Sequence, residues 1–262
     1  MSRANIADIL CIGCQKGSTS WLHSVLACHP RTWAFPDSEP LTSTDKEAHF
    51  WDWNHARGVD WYRALLTPPD PALRSLDFTP EYAGLDAAAI AECRALNPGA
   101  RVIYLLRDPL ARAVSALRMQ MLWHLGRDHA APLHLDAAGL DLIARAELDL
   151  HGDYLRNVTA WRTAYPDLLL LNYEDFHRDR SDSVARLFAA LDLPIAEITG
   201  ERRARLDGLM AGRVWASEPF ALDRSVLMFL HGLTWRYRCE AERLLGMTFA
   251  EEIGRASCRE RV

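Results

Sequence analysis

The chain has 262 residues, 49% of them hydrophobic, and a formal net charge of −5. That length and apolar content suit one large α/β domain with an ample core. The mixed, mildly acidic charge excludes the global basic field of a nucleic-acid binder, and no stretch approaches the ~20 apolar residues of a membrane span.

Of the 30 Lys and Arg residues, only Lys16 and Lys46 are lysine. That skew, with many alanines, points to a GC-rich bacterial genome. The first apolar run is short and includes Asp8, unlike a secretory signal, so a cytoplasmic protein is expected. Residues 1–253 are expected to form one domain. The arginine-rich, aperiodic stretch 254–262 is expected to be a disordered or non-native tail.

In chain order, residues 9–12 read as a short buried strand. The chain then turns at Gly13 and Gly17. Ser18, Thr19 and Ser20 can each cap a helix, whose apolar spacing follows in Trp21, Leu22, Val25 and Leu26 and which Pro30 ends. Free amides and the dipole at a helix start favour an anion, and Lys16 adds a point charge. An ATP or GTP loop places lysine after the second glycine; here Lys16 precedes Gly17. A plain capped turn is the alternative. Cys11-x-x-Cys14 has the spacing of a redox or zinc pair, but no second pair completes a zinc site, so the core reading is preferred and no metal is expected.

A polar loop at 37–45 precedes Lys46-Glu47-Ala48-His49-Phe50-Trp51-Asp52-Trp53. If this segment is extended, Glu47 and His49 share a face, and the aromatics around them tune a carboxylate for general-base work. A surface strand with an aromatic packing face is the alternative. Residues 75–82 read as a second strand running into a turn, and 86–96 as a helix. Arg101–Leu106 is a nearly continuous apolar run suited to a central parallel strand. Arg107-Asp108-Pro109 opens a helix carrying Arg112, Ser115 and Arg118. Arg107 and Ser115 could hold a second phosphate; alternatively, Arg107 and Asp108 pair and cap the helix.

A helical stretch is predicted at 144–165, a fourth strand at 168–173, and helices at 180–191 and 224–245. The segment 201–219 is polar with few signals. Strands alternating with helices give an α/β fold of three layers, a central parallel sheet flanked by helices.

Taken together, these motifs resemble the sulfotransferases that use 3′-phosphoadenosine 5′-phosphosulfate (PAPS), most closely the heparan sulfate glucosaminyl sulfotransferase branch. The likeness runs from about residue 9 to 249. Gly13-Cys14-Gln15-Lys16-Gly17-Ser18-Thr19 is similar to the 5′-phosphosulfate loop, and 47–53 to a Glu-x-His-Phe-Phe-Asp segment whose glutamate is the proposed base. Residues 105–109 with Arg112 and Ser115 resemble the 3′-phosphate motif, and Gly212-Arg213 the end of a basic loop over the cofactor.

The resemblance implies a P-loop nucleotide-binding-type fold, PAPS as co-substrate and no metal requirement. Lys16, Gly17, Ser18, Thr19 and Ser20 would hold the 5′ group, while Arg107, Ser115 and Arg213 would complete the nucleotide site. Lys16 would stabilise the bridging oxygen, Glu47 would take the acceptor proton, and His49 would orient Glu47 or contact the acceptor. The acceptor would be a hydroxyl, or an amine, of a small molecule, glycan or glycolipid, with in-line transfer as in phosphoryl chemistry. One departure stands out: where that branch has Glu-Lys-Thr-Pro with an active-site lysine, this chain has Asp77-Phe78-Thr79-Pro80. The alternatives are a P-loop kinase-like phosphotransferase and a non-catalytic PAPS- or PAP-binding protein, where PAP is the desulfated nucleotide.

Overall fold

Alternate residues of a strand face opposite ways, and the strands here use both faces. A computed structural model describes residues 4–36, 46–212 and 219–249. Strands β1 (Ile9–Cys11), β2 (Thr32–Trp33), β3 (Arg74–Asp77), β4 (Arg101–Leu106) and β5 (Leu169–Asn172) form a parallel sheet in the order β2-β3-β1-β4-β5. The helices are α1 (Thr19–Leu26), α2 (Val59–Leu66), α3 (Ala87–Leu96), α4 (Pro109–Leu125), α5 (Ala137–Arg145) and α6 (Leu148–Gly152), then α7 (Tyr154–Ala164), α8 (Tyr173–Arg178), α9 (Arg180–Ala190), α10 (Gly200–Ala211) and α11 (Arg224–Leu244).

Leu10, Val102, Tyr104 and Leu106 point to one face, against Tyr62 of α2, Ile90 of α3 and Trp161 of α7. Ile9, Cys11, Ile103 and Leu105 point to the other, against Leu22 of α1, Leu187 of α9 and Leu206 of α10. The result is the expected three-layer sandwich. Each large apolar side chain removed from water contributes about 1.5–3 kcal/mol, which explains why both faces carry an apolar set. A third cluster joins α4, α5 and α11 through Leu117, Met121, Ile143, Val226 and Leu230.

Four expectations need correction. The sheet gains β2, two residues long and too short to leave a periodic signal. Residues 46–53 are not an extended strand: irregular backbone, left-handed at His49 with φ 49°, leads into a turn at 50–53. The stretch 144–165 breaks into α5, α6 and α7, with Glu147 left-handed at φ 45° and Asp153 capping α7 through the Arg156 amide. Residues 200–211 form α10, which sequence patterning missed because Leu206 is its one fully buried side chain. No helix among the described residues is long and apolar enough to cross a membrane. Arg213, the loop at 37–45 and the tail at 254–262 lie outside the described residues.

Candidate active site

Because β1 connects through α1 to strands on one side and its other neighbour is β4, the chain reverses direction at β1. Ligands of open parallel sheets bind at such a point, outside the carboxyl ends of the strands. The loops after β1, β3 and β4 all open there onto one cleft of about 1300 Å³.

The loop after β1 is tied to β4 by paired backbone bonds: the Cys14 amide donates to the Leu105 carbonyl and the Leu105 amide to the Gly13 carbonyl, both at 2.8 Å. Gly13 has φ +142°, and a Cβ there would sit 2.9 Å from the Pro80 carbonyl oxygen. A Cβ on Gly17 would lie 2.8 Å from Cys14 Sγ. Lys16 and Ser18 are left-handed at φ 66° and 73°. Such conformations in non-glycine residues cost energy and concentrate at binding sites. Ser18 occupies the N-cap of α1 without a side-chain cap bond. Lys16, Ser18, Thr19 and Ser20 line the cleft, while Gly17 is buried in the turn.

Cys11 and Cys14 are free and fully buried. Burial pushes both thiols up, Cys11 to about 12, which supports the core reading over thiolate chemistry.

Arg107 follows β4. Its Nη1 donates to the Lys16 carbonyl at 2.9 Å and its guanidinium lies 4.5 Å over the Tyr173 ring. Asp108 does not pair with Arg107: it caps α4 through the Ala111 amide at 2.8 Å and forms an ion pair with Arg238 of α11. Ser115, two turns along α4, is buried and lines the same cleft as Arg107. Burial depresses the Lys16 pKa, and the charges of Arg107 and Lys46 depress it further. Sequence reasoning missed Arg180, whose charge also lines the cleft and whose Nη1 donates to the Gly212 carbonyl at 2.6 Å.

Glu47 and His49 do meet, through the turn at His49: His49 Nε2 is 3.6 Å from Glu47 Oε2, and Lys46 forms an ion pair with Glu47 Oε1. Asp52 Oδ2 lies 2.6 Å from His49 Nδ1, and Glu81 Oε2 lies 3.9 Å from it. Burial alone would pull the His49 pKa down. Hydrogen bonds that the ring donates to Asp52 and Glu47, and the charges of Asp52 and Glu81, outweigh it and hold the pKa at about 9. His49 is therefore an imidazolium at neutral pH and not a free base. Among the described residues, His49, Asp52 and Glu81 are the one grouping with metal-like spacing; the close Nδ1–Oδ2 contact already engages two of its three atoms.

This turn hangs on a residue that strand patterning did not single out. Asp77, fully buried at the end of β3, accepts from the Ala48 amide at 3.3 Å, the Thr79 hydroxyl at 2.7 Å and the Tyr62 hydroxyl at 2.9 Å. Thr79 Oγ1 in turn accepts from the His49 amide at 3.2 Å, and the Tyr82 hydroxyl from the Phe50 amide at 2.7 Å. Buried polar groups persist where such partners satisfy them. Phe78 is fully buried, edge-on to His23 at 5.3 Å, and does not reach the cleft. Trp53 stacks flat on His49, with ring centroids 3.5 Å apart and planes 4° apart.

Residues 7–206 match the sulfotransferase domain family. The chain is 31% identical over 113 residues to human heparan sulfate glucosamine 3-O-sulfotransferase 6, covering 43% of this chain and 30% of that protein. It thus spans under a third of that relative's length. A solved sulfotransferase from Alicyclobacillus acidocaldarius superposes with TM-score 0.66 at 18% identity, covering 95% of this chain and 98% of that one. Mouse sulfotransferase SULT7A1, solved with PAP, gives 0.50 at 17% identity, covering 92% and 85%.

Proposed function

The chain belongs to the sulfotransferase domain family, and on that premise we propose that it moves the sulfuryl group of PAPS to a hydroxyl of its acceptor by in-line transfer. The observation that carries this reading is a single cleft holding Lys16 and the start of α1, Arg107 with Ser115, and Glu47 with His49. Transfer on sulfur needs an anchored donor, a cation at the leaving oxygen and a base at the nucleophile. These three groups match those needs.

In this mechanism Ser18, Thr19, Ser20 and Lys16 hold the 5′ end, and Arg107 with Ser115 holds the 3′-phosphate. Arg213 is assigned with them by resemblance alone. The acceptor oxygen attacks sulfur while the bond to the bridging oxygen breaks; Lys16 meets the charge that develops there, and Glu47 takes the acceptor proton. Lys46 and His49 stand beside the two Glu47 oxygens and fix the carboxylate's orientation. Electrostatic stabilisation by Lys16 stands in for a metal in this scheme. The ground for the non-catalytic alternative is Phe78, which stands where the resembled branch has lysine. Lys46, whose carbonyl accepts the Phe78 amide at 2.7 Å, brings an ammonium to the cleft beside Glu47, which supports the transferase reading. The cytoplasmic, single-domain setting expected from the sequence is part of the same proposal.

The test is thermal. PAP at 100 times its dissociation constant adds about 2.7 kcal/mol to stability, whereas ATP, lacking a 3′-phosphate, should add far less. Equal shifts would count against the assignment. Transfer of label from PAPS to an acceptor panel then separates an enzyme from a binding protein.

A further inference from the structure

Arg112 of α4 is fully buried, and its Nε, Nη1 and Nη2 have no hydrogen-bond partner among the described residues. Burial lowers its pKa, but a guanidinium keeps its proton inside proteins. A buried charge without a partner costs stability. No carboxylate among the described residues bonds to it. Asp108, one turn away on the same helix, is engaged by the Ala111 amide and Arg238. The groups acting most strongly on Arg112 are the Tyr154 and Tyr104 hydroxyls, the Cys14 thiol and Arg107. Burial pushes the first three up, so they are neutral at pH 7, and Arg107 is a like charge. His151 feels Arg112 too: burial, then that charge, pull its imidazole down to about 3, so it is neutral as well. Glu147 lies past His151, 3.8 Å from its Nε2, with its side chain 57% exposed.

Arg112 is not part of the cleft wall, yet the groups around it carry that wall. Cys14 belongs to the loop after β1, and its Sγ is the atom that a Cβ on Gly17 would strike. The Tyr154 hydroxyl lies 3.6 Å from that Sγ and donates to the Arg107 carbonyl at 2.8 Å. Ser115, one turn further along α4, reaches the cleft itself. Cys14 and Tyr154 are both fully buried, so the layer between the guanidinium and the two loops is dry. Across such a layer a charge is weakly screened and acts over a longer distance than at a surface.

We propose that Arg112 is a buried cation whose partner is the nucleotide: without touching it, Arg112 attracts the adenosine bisphosphate across the Cys14–Tyr154 layer. The inference rests on the transferase reading above. Two consequences follow, with opposite signs. The empty protein carries the charge uncompensated, so removing Arg112 relieves a desolvation cost and raises stability. The nucleotide loses affinity, because its phosphates lose an attraction felt through a low dielectric. An arginine kept only for packing would give a less stable protein instead.

The experiment compares wild type, Arg112→Met and Arg112→Lys at pH 6 in chloride buffer. It reads the melting temperature without ligand and PAP binding by calorimetry. Methionine keeps the apolar stem and drops the charge, whereas lysine keeps the charge and drops the planar fork. The empty Arg112→Met protein should melt about 2–4 °C above wild type. It should bind PAP roughly tenfold or more weakly, while Arg112→Lys stays within about threefold of wild type. An Arg112→Met protein that melts lower, or does not fold, would make Arg112 a structural residue and overturn the inference. So would unchanged PAP affinity in that variant, or an Arg112→Lys protein that binds PAP as weakly. In each of these cases PAP still binds wild type, and the transferase reading stands. No binding of PAP to wild type would remove both.

Discussion

Arg107 Nη1 donates to the Lys16 carbonyl at 2.9 Å, so the residue assigned to the 3′-phosphate also fastens the loop assigned to the 5′ group. Lys16 is left-handed, and this bond helps hold it so. Arg107→Ala should therefore do two things. PAP affinity should fall about 10–100-fold, the worth of a charge-assisted hydrogen bond. Turnover at saturating PAPS should fall as well, because the lysine loses its tether. Calorimetry and kcat on the same variant check this; loss of affinity alone would sink the tether.

Lys16→Ala should lower kcat by about 10²–10³-fold, the scale for removing one preorganised charge at a developing anion. PAP affinity should change less, since removing Lys16 also relieves its repulsion with Arg107 and Lys46. A variant altered only in KM would show that the ammonium acts equally on ground and transition states.

Glu47→Gln preserves shape but cannot accept a proton. Turnover should drop about 10²–10⁴-fold, while PAP binding persists. Near-normal turnover would move the base role elsewhere. His49 is a poor substitute, because it is already protonated at neutral pH.

His49 predicts a pH profile for stability. Its folded pKa, about 9, lies above its ordinary value of 6.5. The stability it contributes is fully present below pH 6.5 and is lost as pH rises through 9. Melting temperatures of wild type and His49→Gln should thus differ most at pH 6 and converge towards pH 9.5. Parallel profiles would remove the imidazolium from the account.

The strand-loop-helix after β1 and the Arg107–Ser115 pair were legible because both are local: glycine turns, caps and the spacing along one helix sit within a few residues of each other. The sheet was legible in Arg101–Leu106 and 9–12 for a related reason, that burial on both faces demands continuous apolar runs. Glu47 and His49 were expected together through strand spacing, yet a left-handed turn unites them, so the pairing held for a different cause. What stayed hidden depends on partners far along the chain. Asp77 braces Ala48 from 29 residues away, and Asp108 finds Arg238 from 130 away. Helix α10 hid because its surface is polar nearly all round.

The crowding of Lys16, Lys46 and Arg107 bears on how the protein is handled at the bench. Like charges gathered in a partly dry cleft welcome any small multivalent anion, whatever its identity. Phosphate or sulfate in the buffer should therefore compete with PAP for the cleft. In a chloride buffer at low ionic strength the empty protein is at its least stable and the response to PAP is largest. Buffer choice thus sets the apparent affinity, and titrations at stepped phosphate concentrations should yield a PAP dissociation constant that climbs in proportion to the competitor.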